Sequence, residues 1–141
     1  MAKEEITPSE WQIMEVLWAW GEPLTSSEVY KRMQGNVGMS MRMVRVLMNR
    51  LNQKGILGYT VDEHDSRVYH YYVQRSREEC VKEKSRKFVD SYFSGNGTNA
   101  MAALLQSFAL TDEQIKELEE ILEKSKGQNA ESSDTRGDGY A

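Results

Sequence analysis

The chain has 141 residues, 39% of them hydrophobic and 28% charged, with a formal net charge of −4, which is the composition of one or two small globular domains rather than of a disordered polymer. It holds no apolar run of the roughly 18 residues a bilayer span needs, its acidic start Met-Ala-Lys-Glu-Glu leads into no apolar signal segment, and one cysteine, Cys80, can build neither a disulfide framework nor a zinc cluster, so a cytosolic protein without membrane insertion or cofactor is expected. The net charge hides a local excess: Lys31 to Val61 contains Lys31, Arg32, Arg42, Arg45, Arg50 and Lys54 and no acid, while the segments before and after it are acidic. A basic stripe rather than whole-chain charge sets an electrostatic footprint on nucleic acid.

In chain order, Thr7-Pro8-Ser9-Glu10 reads as a capping box with proline at the first helical position. The helix that follows carries Ile13, Val16, Leu17 and Trp20 on one stripe and Trp11, Met14 and Trp18 on another, leaving Gln12, Glu15 and Ala19 for solvent. A helix this apolar is expected at the centre of a core, and Gly21-Glu22-Pro23 ends it. Thr25-Ser26-Ser27-Glu28 starts a short helix to about Met33, with Val29 and Met33 inward, and Gln34 to Met39 reads as a turn.

Ser40 to Gly55 is the centre of the pattern. Val44, Leu47, Met48 and Leu51 fall at i, i+3, i+4 and i+7, one apolar helical face. The opposite face collects Arg42, Arg45, Val46, Asn49, Arg50 and Gln53. Ser40 suits the N-cap and Gly55 the stop. Arginine grips phosphate or guanine bidentately, and asparagine and glutamine pair with adenine. A solvated cationic face would look the same on an isolated helix, so the flanking elements decide. Two helices joined by a turn form a helix-turn-helix. Ile56–Val61 and Arg67–Val73, rich in Val, Ile, Thr and Tyr around the polar Asp62–Ser66, read as a β-hairpin. The expected fold class is therefore mostly α with a small hairpin: a winged helix over residues 1–75, with Arg67 near the wing tip within reach of a phosphate. Tyr69, Tyr71 and Tyr72 could stack on bases, although cross-strand packing accounts for Tyr69 and Tyr71.

Ser76-Arg77-Glu78-Glu79 is a third capping box, opening a helix to about Phe93. Ser94-Gly95-Asn96-Gly97 breaks it, Thr98 or Asn99 can cap the next helix, and Thr111 with Gln114 caps the last. These helices over residues 76–126 carry Phe88, Tyr92, Met101, Leu104, Leu105, Phe108, Ile115, Leu118 and Leu122 on apolar faces of only two or three residues per pair of turns, with no sheet to pack on. So small a unit is marginal alone, and a homodimerisation domain is the natural reading. Residues 127–141 read as a polar, disordered tail.

The motifs Glu10-Trp11-x-x-Met14-x-x-Leu17-Trp18, Ser40-x-x-x-Val44-Arg45-x-Leu47-x-x-Arg50-Leu51-x-x-Lys54-Gly55, Arg67-x-Tyr69-x-Tyr71 and Ser76-Arg77-Glu78-Glu79 occur in one order. Together they resemble the BlaI/MecI/CopY family of penicillinase and methicillin-resistance repressors, over roughly Ile6 to Lys124. The resemblance implies a dimeric winged-helix repressor of β-lactam resistance or copper-export genes, bound to a palindromic operator. By resemblance Arg42, Met43, Arg45 and Val46 hold the operator-reading positions, and the helix face and wing read above add Ser40, Asn49, Arg50 and Arg67 to the expected DNA-binding set. The β-lactam branch commonly has threonine where Met43 and Val46 stand, so a different operator is expected. That branch is released by a membrane sensor protease pathway that cuts an Asn–Phe bond in the dimerisation region. Counted back from Leu110-Thr111-x-x-x-Ile115, the matching bond is Ala103–Leu104. The copper branch carries Cys-x-Cys pairs in its tail, and this tail has no cysteine.

An enzyme is not expected. His64, Asp65 and Ser66 are neighbours in a turn and point apart rather than forming a triad. His64 and His70 lack a third metal ligand. Cys80 lies in the first turn of a helix, where the dipole lowers a thiol pKa, so a redox-responsive or metal-responsive repressor of the same fold is one alternative. A winged helix used for protein contact is another, and it would have no need of six uncompensated cations.

Overall fold

The computed structural model describes residues 5–33 and 38–136. The chain divides into two compact units, Met1–Phe88 and Val89–Ala141.

In the first unit α1 (Pro8–Trp20), α2 (Ser26–Met33) and α3 (Met41–Gln53) pack on a hairpin of β1 (Leu57–Val61) and β2 (Tyr69–Val73). Reciprocal capping boxes start α1, through Thr7 and Glu10, and α2, through Thr25 and Glu28. The strands are antiparallel, with Leu57 opposite Val73, Tyr59 opposite Tyr71 and Val61 opposite Tyr69. Leu24 exchanges both backbone hydrogen bonds with Tyr71, at 3.0 and 2.9 Å, and so adds a third strand one residue long. The core joins Ile13, Met14 and Leu17 of α1, Val29 and Met33 of α2, Val44, Leu47, Met48 and Leu51 of α3, and Ile56, Leu57 and Tyr71. The turn expected over Gln34–Met39 falls largely on residues 34–37, outside the described residues.

Two expectations change here. Trp20, expected on an apolar stripe of a central core helix, is half exposed at the end of α1, with the Arg32 guanidinium 3.9 Å above its ring. The first unit also extends past residue 75. α4 (Arg77–Phe93) buries Cys80 in the same core. Its Lys84 bonds the Glu5 carboxylate and the Ile6 carbonyl, its Arg77 grips Glu15, and its Glu83 takes Arg75. These ties, not the capping box at Ser76, decide where most of α4 belongs.

The second unit contains the end of α4, α5 (Gly97–Ser107) and α6 (Asp112–Arg136). Asn96, rather than Thr98 or Asn99, caps α5, its side chain accepting the Asn99 N–H at 3.0 Å. Thr111 and Gln114 cap α6 reciprocally. The tail expected to be disordered from Gly127 is helical as far as Arg136. One glycine costs a helix only about 1 kcal/mol, too little to stop a run whose other residues tolerate helix. No helix among the described residues is long and apolar enough to cross a membrane.

Candidate nucleic-acid interface

Ser40 starts α3: its backbone is extended and its Oγ accepts the Met43 N–H at 3.1 Å. The Ser40 hydroxyl proton stays available to a phosphate. Val44, Leu47, Met48 and Leu51 are spent on the core, which fixes the helix's rotation. Arg42, Arg45, Val46, Asn49, Arg50 and Gln53 are therefore all exposed, as the periodicity predicts, and Met43 is exposed beside them. α3 contains no acid. Among the described residues none of Arg42, Arg45 and Arg50 is held in an ion pair. Gly55 follows with φ +82°, a left-handed conformation that costs a side chain roughly 1–2 kcal/mol.

The basic stripe is smaller than the sequence count of six implies. Lys54 turns inward, its Nζ 2.6 Å from Glu10 Oε1 and 2.7 Å from the Glu5 carbonyl oxygen. Glu10 is completely buried, and its Oε1 also accepts the Thr7 N–H at 2.9 Å. Arg32 lies over Trp20 and donates to the Glu28 carbonyl. Sequence reading missed this because Glu10 and Lys54 are 44 residues apart, and no local pattern marks them as partners.

The wing is likewise less basic than expected. Asp62 Oδ2 accepts the N–H groups of His64 and Asp65, and Asp62 Oδ1 accepts His70 Nε2–H at 2.8 Å. His70, followed by the His64 N–H and then the Asp65 N–H, holds the Asp62 carboxyl below the usual aspartate range. Asp65 takes Arg67 bidentately, at 3.1 and 3.2 Å. Arg67 is exposed as expected, but its charge already has a partner, and the tip adds the carboxylates of Asp62, Glu63 and Asp65. Tyr59 and Tyr69 stack on each other at 4.2 Å. Tyr71 is buried, which pushes its phenol pKa up. Tyr72, on the other face, covers Gly58, whose absent Cβ would meet the Tyr72 ring at 2.5 Å. The three tyrosines thus do not form a single stacking platform.

Among the described residues of the second unit, only Ala100 of α5 is buried. Met101, Leu104, Leu105, Phe108, Ile115 and Leu122 are exposed, Phe108 at 64%, and Leu118 is half-buried. Tyr92 of this unit and Phe88 of the first are exposed too. The Ala103–Leu104 bond lies inside α5. Cys80 is buried. No group of three or more possible metal ligands converges among the described residues.

Three helices, a minimal third strand and a hairpin wing make a winged helix, with an arginine face free of carboxylates on its third helix. The sequence profile of the Penicillinase repressor family matches residues 6–124, and the chain belongs to this family, whose members are DNA-binding repressors and not enzymes. It is similar to the penicillinase repressor of Bacillus licheniformis, at 25% identity over 127 residues, covering 90% of this chain and 96% of that protein. It is also similar to the methicillin resistance regulatory protein MecI of Staphylococcus aureus strain N315, at 22% identity over 120 residues, covering 85% of this chain and 94% of that protein. Among solved structures, the DNA-binding domain of the repressor BlaI covers 55% of this chain and 90% of its own, with 22% identity and a TM-score of 0.47. The monomeric form of Bacillus licheniformis BlaI in complex with the blaP half-operator covers the same shares, with 22% identity and a TM-score of 0.45.

Proposed function

We propose that the chain is a cytosolic, homodimeric transcriptional repressor that seats α3 in the major groove of each half of a palindromic operator. Its target genes serve β-lactam resistance or a related stress response, and proteolysis of the second unit, through a membrane sensor pathway, releases it. The observation that carries the reading is the outer face of α3, where Arg42, Arg45 and Arg50 stand exposed beside Asn49 with no acid on the helix. Free cations there neutralise phosphates and grip guanine, and the amide suits adenine. The dimer is supported by the exposed apolar residues of α5 and α6, which a second copy would cover. Membership of a family whose relatives are named for penicillinase and methicillin resistance supports the gene class.

Footprinting of the full chain on the DNA upstream of its own gene tests this. Two protected half-sites about one helical turn apart are expected, with affinity that falls steeply as salt rises. No footprint, or binding indifferent to salt, would point to a winged helix that docks on protein instead.

A further inference from the structure

We propose that Met43 and Val46 form an apolar ridge that reads the 5-methyl groups of two thymines in each operator half-site, a reading that rests on the major-groove placement of α3. Met43 is 48% exposed and Val46 41% exposed, and neither belongs to the core cluster. The fold does not need them there, because Val44, Leu47, Met48 and Leu51 already fill the inner face of α3. Three residues apart, they are neighbours on the helix surface.

The surroundings choose the occupant. Arg42, Arg45 and Arg50 flank the ridge and have no carboxylate partner among the described residues. An apolar protein surface pressed onto the ridge would strip water from these cations without replacing it. A major groove offers both complements, with phosphates along its rims and thymine methyl groups on its floor among the polar base edges. Met43 lies in the first turn after the Ser40 cap and Val46 in the next, the end of a recognition helix that meets base edges. Their axial separation of about 4.5 Å covers one to two base-pair steps of about 3.4 Å. The two thymines are therefore adjacent or separated by one base pair. Val46 is stiff at its first side-chain torsion and sets the position of its methyl contact, whereas Met43 adapts to the neighbouring step.

The test uses the full chain and a duplex enriched from a random-sequence library, resynthesised with each thymine in turn replaced by deoxyuridine. Loss of a read methyl should cost about fourfold in affinity, the value of one buried carbon, at two thymines per half-site and nowhere else. Val46→Ala should abolish the penalty at one of them and Met43→Ala at the other. Both substitutions lie outside the core, and a thermal melt confirms that the variants fold. If no sequence is enriched, the DNA-binding reading itself fails. Enrichment with equal affinity for every uracil-substituted duplex would overturn the ridge alone, as would uracil penalties that survive in both alanine variants.

Discussion

Glu10 shows how a residue's local role can hide its tertiary one. In sequence it is the third helical residue of a capping box, and it does fill that role. It is also a completely buried carboxylate whose compensating charge, Lys54, comes from the end of α3. The pair fixes the recognition helix against the start of α1, and Lys54 adds the Glu5 carbonyl, so the chain before α1 is drawn into the same joint. Removing one partner of a buried pair costs about 3–5 kcal/mol, mostly because the other charge is left without compensation. Glu10→Ala is therefore expected to lower the urea midpoint sharply, and Glu10→Gln, which keeps the volume and an acceptor, to lower it less. Lys54→Ala separates the two readings of this lysine: the stability should fall while the salt dependence of DNA binding stays as in the parent. A reduced salt slope would return Lys54 to the DNA face. Arg45 has the opposite character, exposed and without a carboxylate partner among the described residues. Arg45→Ala should weaken the selected site by about 1–3 kcal/mol and random DNA by much less. Equal losses would mean that Arg45 touches only phosphate.

At the scale of elements, the sequence is most informative where one physical signal acts alone. Thr7, Thr25, Ser40, Ser76 and Thr111 each mark a helix start, because a cap needs only residues within one turn of each other. The inner and outer faces of α3 follow from periodicity for the same reason. Leu24 is different: its bridge to Tyr71 is a one-residue strand, and no alternation can announce a single residue. The sequence pattern of the wing tip shows a lone arginine, but its conformation is set by carboxylates that reach back to backbone N–H groups. Asp62 ties His64, Asp65 and His70 together, and its own N–H donates to the Val68 carbonyl at 2.9 Å. Because its folded pKa is depressed, this stabilisation is fully present above the ordinary aspartate value of about 3.9 and is lost as pH falls through the folded value. The amide of Val68, bonded to the Asp65 carbonyl, should therefore lose hydrogen-exchange protection in acid before the core amides of Leu47 and Met48 do. Asp62→Asn should show the looser wing already at neutral pH. Equal protection in that variant would show that the backbone pairing holds the tip without the carboxylate.

For the whole molecule, the division into units decides which truncation is informative. A chain ending near Gln74, at the boundary the sequence suggests, would lack Cys80, Lys84 and Arg77, which close the core and bind the chain around Glu5 and Glu15. A chain ending at Phe93 keeps α4 and is the fragment expected to fold as a monomer and bind a half-site weakly. Linking two such modules raises the effective concentration of the second and turns weak contacts into stable occupancy. The second unit is built for that link if its exposed residues meet a second copy, so Leu105→Glu and Phe108→Glu should yield monomers by sedimentation while half-site affinity is kept. A dimer that persists in both variants would move the interface elsewhere. Release by proteolysis draws on the same arithmetic, since cutting α5 returns two monovalent modules to solution. Ala103–Leu104 lies within the 11 residues of that helix, and a helical peptide bond must open locally before a protease can take it. On our proposal that this bond stands where the resemblance implies Asn–Phe, release needs a protease of altered specificity, or else induction proceeds without a cut. Immunoblotting before and after β-lactam exposure decides between them: proteolytic release predicts a fragment ending between Asn99 and Phe108 that appears as the target genes switch on. A full-length band that persists through induction would remove proteolysis from the mechanism and assign release to a ligand, metal or redox signal acting on the intact dimer.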